Sequence, residues 1–124
     1  MNILIDTNIA LYLLGGDSRI AEVLEGEVVH VSFISELELL GYPGISNEEE
    51  KLIHDFLDDC VIIDVNNQIK NGTIQFRRKY GLKLPDSIIA ATAYYLGTPL
   101  LSGDKDFLVV KDIDFIVGQP ELVW

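Results

Sequence analysis

A chain of 124 residues with 20 acidic against 9 basic side chains, net charge -11, has the length of one domain and the wrong overall sign for gripping nucleic acid by bulk charge. Its 48% hydrophobic content and mean hydropathy of +0.25 fit a folded, soluble domain that hides about two-thirds of its unfolded surface, and no apolar run approaches the roughly 18 residues of a membrane span. A single cysteine, Cys60, excludes an internal disulfide, and no basic-then-apolar leader opens the chain, so a reducing cytoplasm is the expected location.

The chain opens with Asn2-Ile3-Leu4-Ile5, a short apolar run that fits a buried strand, followed by a helical run from Ile9 to Leu14 that Gly15-Gly16 ends. From Ser18, the residues Ile20, Val23 and Leu24 keep helical spacing until Gly26, and Val28 to Ser32 reads as a second strand. Phe33 to Leu40 is a short helix stopped by Gly41 and Pro43. Ser46 and Glu49 form a capping box that opens a helix with Leu52, Ile53, Phe56 and Leu57 on its apolar stripe. Val61 to Val65 is expected as a third strand, then a helix to about Tyr80, a connector from Gly81 to Pro85, and a helix from Ser87 to Leu96 that is apolar on nearly every side and therefore central. Leu100 to Ser102 and Phe115 to Val117 complete the strands. Strands alternating with helices imply right-handed crossovers, hence an α/β fold: three α/β/α layers around a mostly parallel sheet of about five strands, one domain over residues 1–124.

Ligands of such sheets collect beyond the carboxyl ends of the strands, where the strand order switches. Asp6 follows the first strand and Asp104 the fourth, while Asp86 stands at the start of the apolar helix. Each acid has an ordinary structural reading, Asp6 and Asp86 as helix caps and Asp104 as a turn residue. Their meeting at one edge is harder to explain that way. Two carboxylates about 4 Å apart repel by roughly 1 kcal/mol in water and roughly 4 at an effective dielectric of 20, so a cluster needs a cation or bound protons. Oxygen ligands alone favour Mg²⁺ or Mn²⁺ over zinc. His30, within a strand, and His54, at the margin of a helix stripe, have no second His or Cys at ligand spacing and read as structural or solvent-exposed. Glu48, Glu49 and Glu50 suit the first turn of their helix. Glu36 and Glu38 lie about 200° apart on theirs, so only one can face a given site, and periodicity does not choose. Asp64, at the end of the third strand, competes for the same edge.

Charge is unevenly distributed. Asn66 to Pro85 contains no Asp or Glu but holds Lys70, Arg77, Arg78, Lys79 and Lys83, five of the nine basic residues. This is either a solvated helix face or a local basic patch leading into Asp86.

The sequence resembles the PIN domain, specifically the VapC-type ribonuclease toxins of bacterial and archaeal toxin–antitoxin pairs. NILIDTNIALYLL is similar to the family's strand followed by Asp-Thr-Asn, which puts its first acid on Asp6. SFISELELLGY resembles the second motif and selects Glu38 over Glu36; KYGLKLPDSIIAATA resembles the third and places its acid on Asp86; LLSGDKDF resembles the fourth, with Ser102, Asp104 and Asp106, Ser102 standing where threonine is more usual. The resemblance runs from Asn2 to Phe107. It implies an endoribonuclease whose Asp6, Glu38, Asp86 and Asp104, with Asp106 as a further candidate, hold Mg²⁺ or Mn²⁺. Asn8 and Ser102 would support them, and Arg77, Arg78, Lys79 and Lys83 would hold the RNA backbone. It also implies a homodimer and a small cognate antitoxin in the active-site groove. Phe76 and Tyr80 fit base stacking, but their helical spacing makes them core residues first. A receiver-like signalling domain with Asp64 as phosphoacceptor, and a noncatalytic RNA- or protein-binding scaffold of the same fold, are the alternatives.

Overall fold

The computed structural model describes residues 1–118. The chain runs β1 (Asn2–Ile5), α1 (Thr7–Leu14), α2 (Ser18–Leu24), β2 (Val28–Ser32), α3 (Phe33–Leu40), α4 (Asn47–Asp58), β3 (Val61–Ile63), α5 (Asn67–Tyr80), α6 (Leu84–Leu96), β4 (Leu100–Ser102), a 3-10 turn (Lys105–Val109) and β5 (Phe115–Val117). All strand pairs are parallel, in the order β3-β2-β1-β4-β5. The chain therefore builds outward from β1 to β3, crosses back, and builds outward again from β4. The switch lies between β1 and β4, where two crossovers leave in opposite directions and open a crevice at the carboxyl end.

Alternation along the strands makes the two cores. Ile3, Ile5, Val31 and Leu101 face one side and pack with Ile9, Ile20, Leu39, Ile53 and Leu57 from α1 to α4. Leu4 and Leu100 face the other and pack with Ile69, Phe76, Ile89, Ala90 and Phe107. Leu4 and Leu100 are paired in register and fully buried, and burial of each contributes about 1.5–3 kcal/mol. The expected three-layer α/β/α architecture is what forms. On the second side α5 and α6 lie close: a Cβ at Gly72 would sit 3.1 Å from the Ala91 Cβ, so a side chain there would push the helices apart.

Local chemistry sets most helix starts. Asp6, Asp17, Ser32 and Asn66 each accept from a backbone N–H in the turn they precede, and Ser46 with Glu49 makes the full capping box. Gly81 and Gly97, at φ 67° and 62°, stop α5 and α6 in the left-handed conformation glycine favours.

Some boundaries differ from those read off the sequence. β3 stops at Ile63 instead of Val65, because its partner β2 turns into α3 after Ser32, the residue paired with Ile63. α6 begins at Leu84 instead of Ser87; Pro85 falls in the first turn, where no backbone donor is needed.

Candidate active site

The switch point carries the acids. Asp6, directly after β1, is only 5% exposed, and both its oxygens are held: one accepts from the Ile9 N–H at 2.9 Å, the other from the Ser102 hydroxyl at the end of β4. Ser102, fully buried, also accepts from the Asp104 N–H at 3.0 Å, so a single hydroxyl ties the first acid to the loop that carries the fourth. Asp104 in turn caps the 3-10 turn by accepting from the Asp106 N–H at 2.9 Å.

A cavity of about 270 Å³ opens over this point, lined by Asp6, Thr7, Asn8, Leu11, Glu38, Pro85, Asp86, Ile89 and Asp104. Four segments far apart in sequence thus deliver carboxylates to one space. Asp86, Asp104 and Asp106 each offer an oxygen, all within 4.8 Å of one another. Glu38, on the face of α3 turned to α1, accepts from the Thr7 hydroxyl at 2.7 Å. Glu36, on the same helix, does not line the cavity. The choice that periodicity left open is made by how α3 packs on α1.

Electrostatics match the geometry. Burial raises the Asp6 carboxyl above its ordinary value; the Ser102 and Ile9 hydrogen bonds pull it back, and the charges of Asp104 and Glu38 push it up again. Asp86 is pushed up to about 6, first by burial and then by Asp104, with Lys83 pulling it down and Asp106 and Asp6 adding to the rise. Asp86 was a candidate helix cap, but no side chain among the described residues caps α6, so its carboxylate is left to the cavity. Such a site holds negative charge that its own hydrogen bonds do not fully compensate. Its donors are hard oxygens with no imidazole or thiolate among them, the set that suits Mg²⁺ or Mn²⁺.

The supporting and basic residues divide. Ser102 binds Asp6, as described. Asn8 lines the cavity, but its side chain makes no hydrogen bond among the described residues. Lys83 stands one turn before Asp86 and lowers its pKa. Arg77 and Arg78 are exposed on the last turn of α5, in no ion pair among the described residues. Lys79 differs from them: it pairs with Asp112 at 3.7 Å, and Tyr80 donates to the same carboxylate at 2.8 Å. Phe76 is buried against Tyr80 and Tyr94, so it is a core residue. Asp64 directly follows β3, the strand at the sheet edge, with β2 between β3 and β1. A receiver-like order, 2-1-3-4-5, would put the third strand beside the first, and this sheet does not.

Sequence reasoning passed over Thr7 and Ser35. The signal was faint: one hydroxyl directly after Asp6 and another one helical turn before Glu38.

The fold is shared with solved structures. A chain of the toxin–antitoxin complex from Klebsiella pneumoniae is 28% identical, with TM-score 0.80 over 93% of this chain and 96% of that one. A chain of VapBC2 from Rickettsia felis, bound to a DNA fragment from its promoter, is 18% identical with TM-score 0.84 over 94% and 98%. One of VapBC-1 from nontypeable Haemophilus influenzae is 24% identical with TM-score 0.77 over 94% and 98%. Among curated proteins none matches. The model of the PIN domain matches residues 3–113, nearly the whole chain. With its parallel sheet and the acids gathered at the switch point, this chain belongs to the PIN-domain family.

Proposed function

We propose that this chain is a VapC-like toxin: a divalent-metal-dependent endoribonuclease, one domain over residues 1–124, that works as a cytoplasmic homodimer and is held inactive by a small cognate antitoxin. The observation that carries the reading is the convergence of Asp6, Glu38, Asp86 and Asp104 from four distant segments on one cavity at the sheet's switch point. The similarity to chains of toxin–antitoxin complexes supports the partner and the class.

Asp6, Glu38, Asp86 and Asp104, with Asp106, would hold Mg²⁺ or Mn²⁺. Bound there, the ion supplies Lewis-acid stabilisation of phosphate charge and a water of lowered pKa. Hydrolysis adds one water across a phosphodiester, giving a phosphomonoester and a free hydroxyl. The protein's own part is to fix geometry. Ser102 and the Ile9 N–H hold Asp6, and the strand behind them keeps the carboxylate from swinging. Arg77, Arg78 and Lys83 would hold flanking phosphates, while Lys79, engaged by Asp112, contributes less.

The test is cleavage of single-stranded RNA by the purified chain with added Mn²⁺. The expected outcome is endonucleolytic cleavage that stops with chelator and falls at least about a hundredfold in Asp6→Asn. RNA binding without cleavage under any divalent cation would favour the noncatalytic scaffold instead.

A further inference from the structure

Buried hydroxyls on helices usually satisfy themselves by bonding the carbonyl one turn back. Three in this chain do so: Thr73 to the Ile69 carbonyl, Ser87 to that of Lys83 and Thr92 to that of Ile88. Ser35 does not. Its side chain is fully buried in α3, yet its Oγ lies 2.8 Å from the Thr7 Oγ1 on the neighbouring helix. Thr7 in turn lies 2.7 Å from Glu38 Oε1. A hydroxyl carries one proton and an ionised carboxylate can only accept, so Thr7 donates to Glu38, and Ser35 supplies its own proton to Thr7. Direction thus runs one way, from the buried Ser35 through Thr7 to the carboxylate.

Glu38 gains most from this. Its residue is exposed, and Thr7 is the one hydrogen-bond partner of its side chain among the described residues. Left alone, such a glutamate samples many rotamers, and fixing one of them costs conformational entropy. Thr7 is also the residue after Asp6, in the first turn of the helix that Asp6 caps. One residue therefore links two acids from different elements.

Resting on the nuclease reading above, we propose that Thr7 is a positioning residue for the cation site: its hydroxyl, oriented by the buried Ser35, holds the Glu38 carboxylate in the cavity beside Asp6. It touches neither substrate nor the reacting atoms and acts through Glu38.

The experiment compares Mn²⁺ affinity, by calorimetry, for the unsubstituted chain, Thr7→Val, Thr7→Ser, Glu38→Ala and the Thr7→Val/Glu38→Ala pair. Valine keeps the shape and removes the proton; serine keeps the proton. Thr7→Val is expected to bind Mn²⁺ about tenfold more weakly, Thr7→Ser as the parent does, and the double variant no more weakly than Glu38→Ala alone. A crystal structure of Thr7→Val should show the Glu38 carboxylate displaced. Unchanged Mn²⁺ affinity in Thr7→Val, a loss that persists in full without Glu38, or an unmoved carboxylate would each overturn the positioning role and leave the nuclease reading intact. If the unsubstituted chain itself binds no Mn²⁺, the nuclease reading falls and this role with it.

Discussion

Two places in the sheet that bury polar atoms do so with opposite results. At the carboxyl ends of β1 and β4, Asp6 and Ser102 are buried with hydrogen-bond partners in place, facing a cavity that other acids share. In the middle of β2, both ring nitrogens of His30 are buried with no hydrogen-bond partner among the described residues. Both places carry a desolvation penalty, seen as a raised pKa at Asp6 and a lowered one at His30. Only the first converges with other groups on a space a ligand could enter. A buried polar group marks a working site when its neighbours point the same way; by itself it is a local cost to stability.

The largest effect that would sharpen this contrast is expected at Asp86. Asp86→Asn should lower cleavage at least about a hundredfold while raising the thermal stability of the metal-free protein at pH 7.5. The sign follows from linkage. The folded-state pKa of about 6 lies above the ordinary 3.8, so the folded form binds the extra proton between those values. Its stabilising effect is therefore present at low pH and lost as pH rises through about 6. The stability gap between variant and parent should open over that window, and Mn²⁺ should raise the melting temperature of the parent more than that of the variant. Melting curves across pH with and without Mn²⁺ decide it; a destabilised Asp86→Asn would make Asp86 a residue that supports the fold and not an acid held in the cavity at a cost to stability.

A smaller effect is expected on the basic side. Arg77→Ala with Arg78→Ala should weaken RNA binding several-fold and reduce the salt dependence of log K by roughly 0.7 for each phosphate no longer neutralised, leaving turnover at saturating RNA unchanged. Lys79→Ala should change RNA binding less, because Lys79 already pairs with Asp112. Filter binding over a salt series measures both. Equal losses at Lys79 and Arg77 would make the ion pair irrelevant to the division drawn among these residues.

The smallest effect is the complementary one at the sheet's centre. His30→Leu, which removes two unsatisfied nitrogens, should stabilise by about 1 kcal/mol, or about 4 °C in melting temperature, with cleavage unchanged. His30 titrates below its ordinary 6.5 because burial disfavours its charged form. Its contribution is thus intact above pH 6.5 and lost as pH falls below it, and the variant should shed that acid sensitivity. Loss of activity in His30→Leu would mean the histidine serves the site after all.

The sequence alone determined what depends on a few neighbouring residues. Alternating and helical apolar patterns located the strands and helices, capping residues such as Ser46 and Glu49 fixed helix starts, and Asp6, Asp86 and Asp104 were legible because each sits at the end of a recognisable element. Tertiary structure decided what depends on how distant elements cross. It turned Glu38 toward the cavity, a choice that periodicity left open and only the family resemblance had made, brought Asp106 within reach of Asp86 and Asp104, drew Lys79 to Asp112, shortened β3 where β2 ends, and linked Ser35 to Thr7. The physical reason is range: caps and periodicity act within about one helical turn, whereas a pocket of like charges exists only because the strand order sets β1 beside β4 and packing holds the acids together.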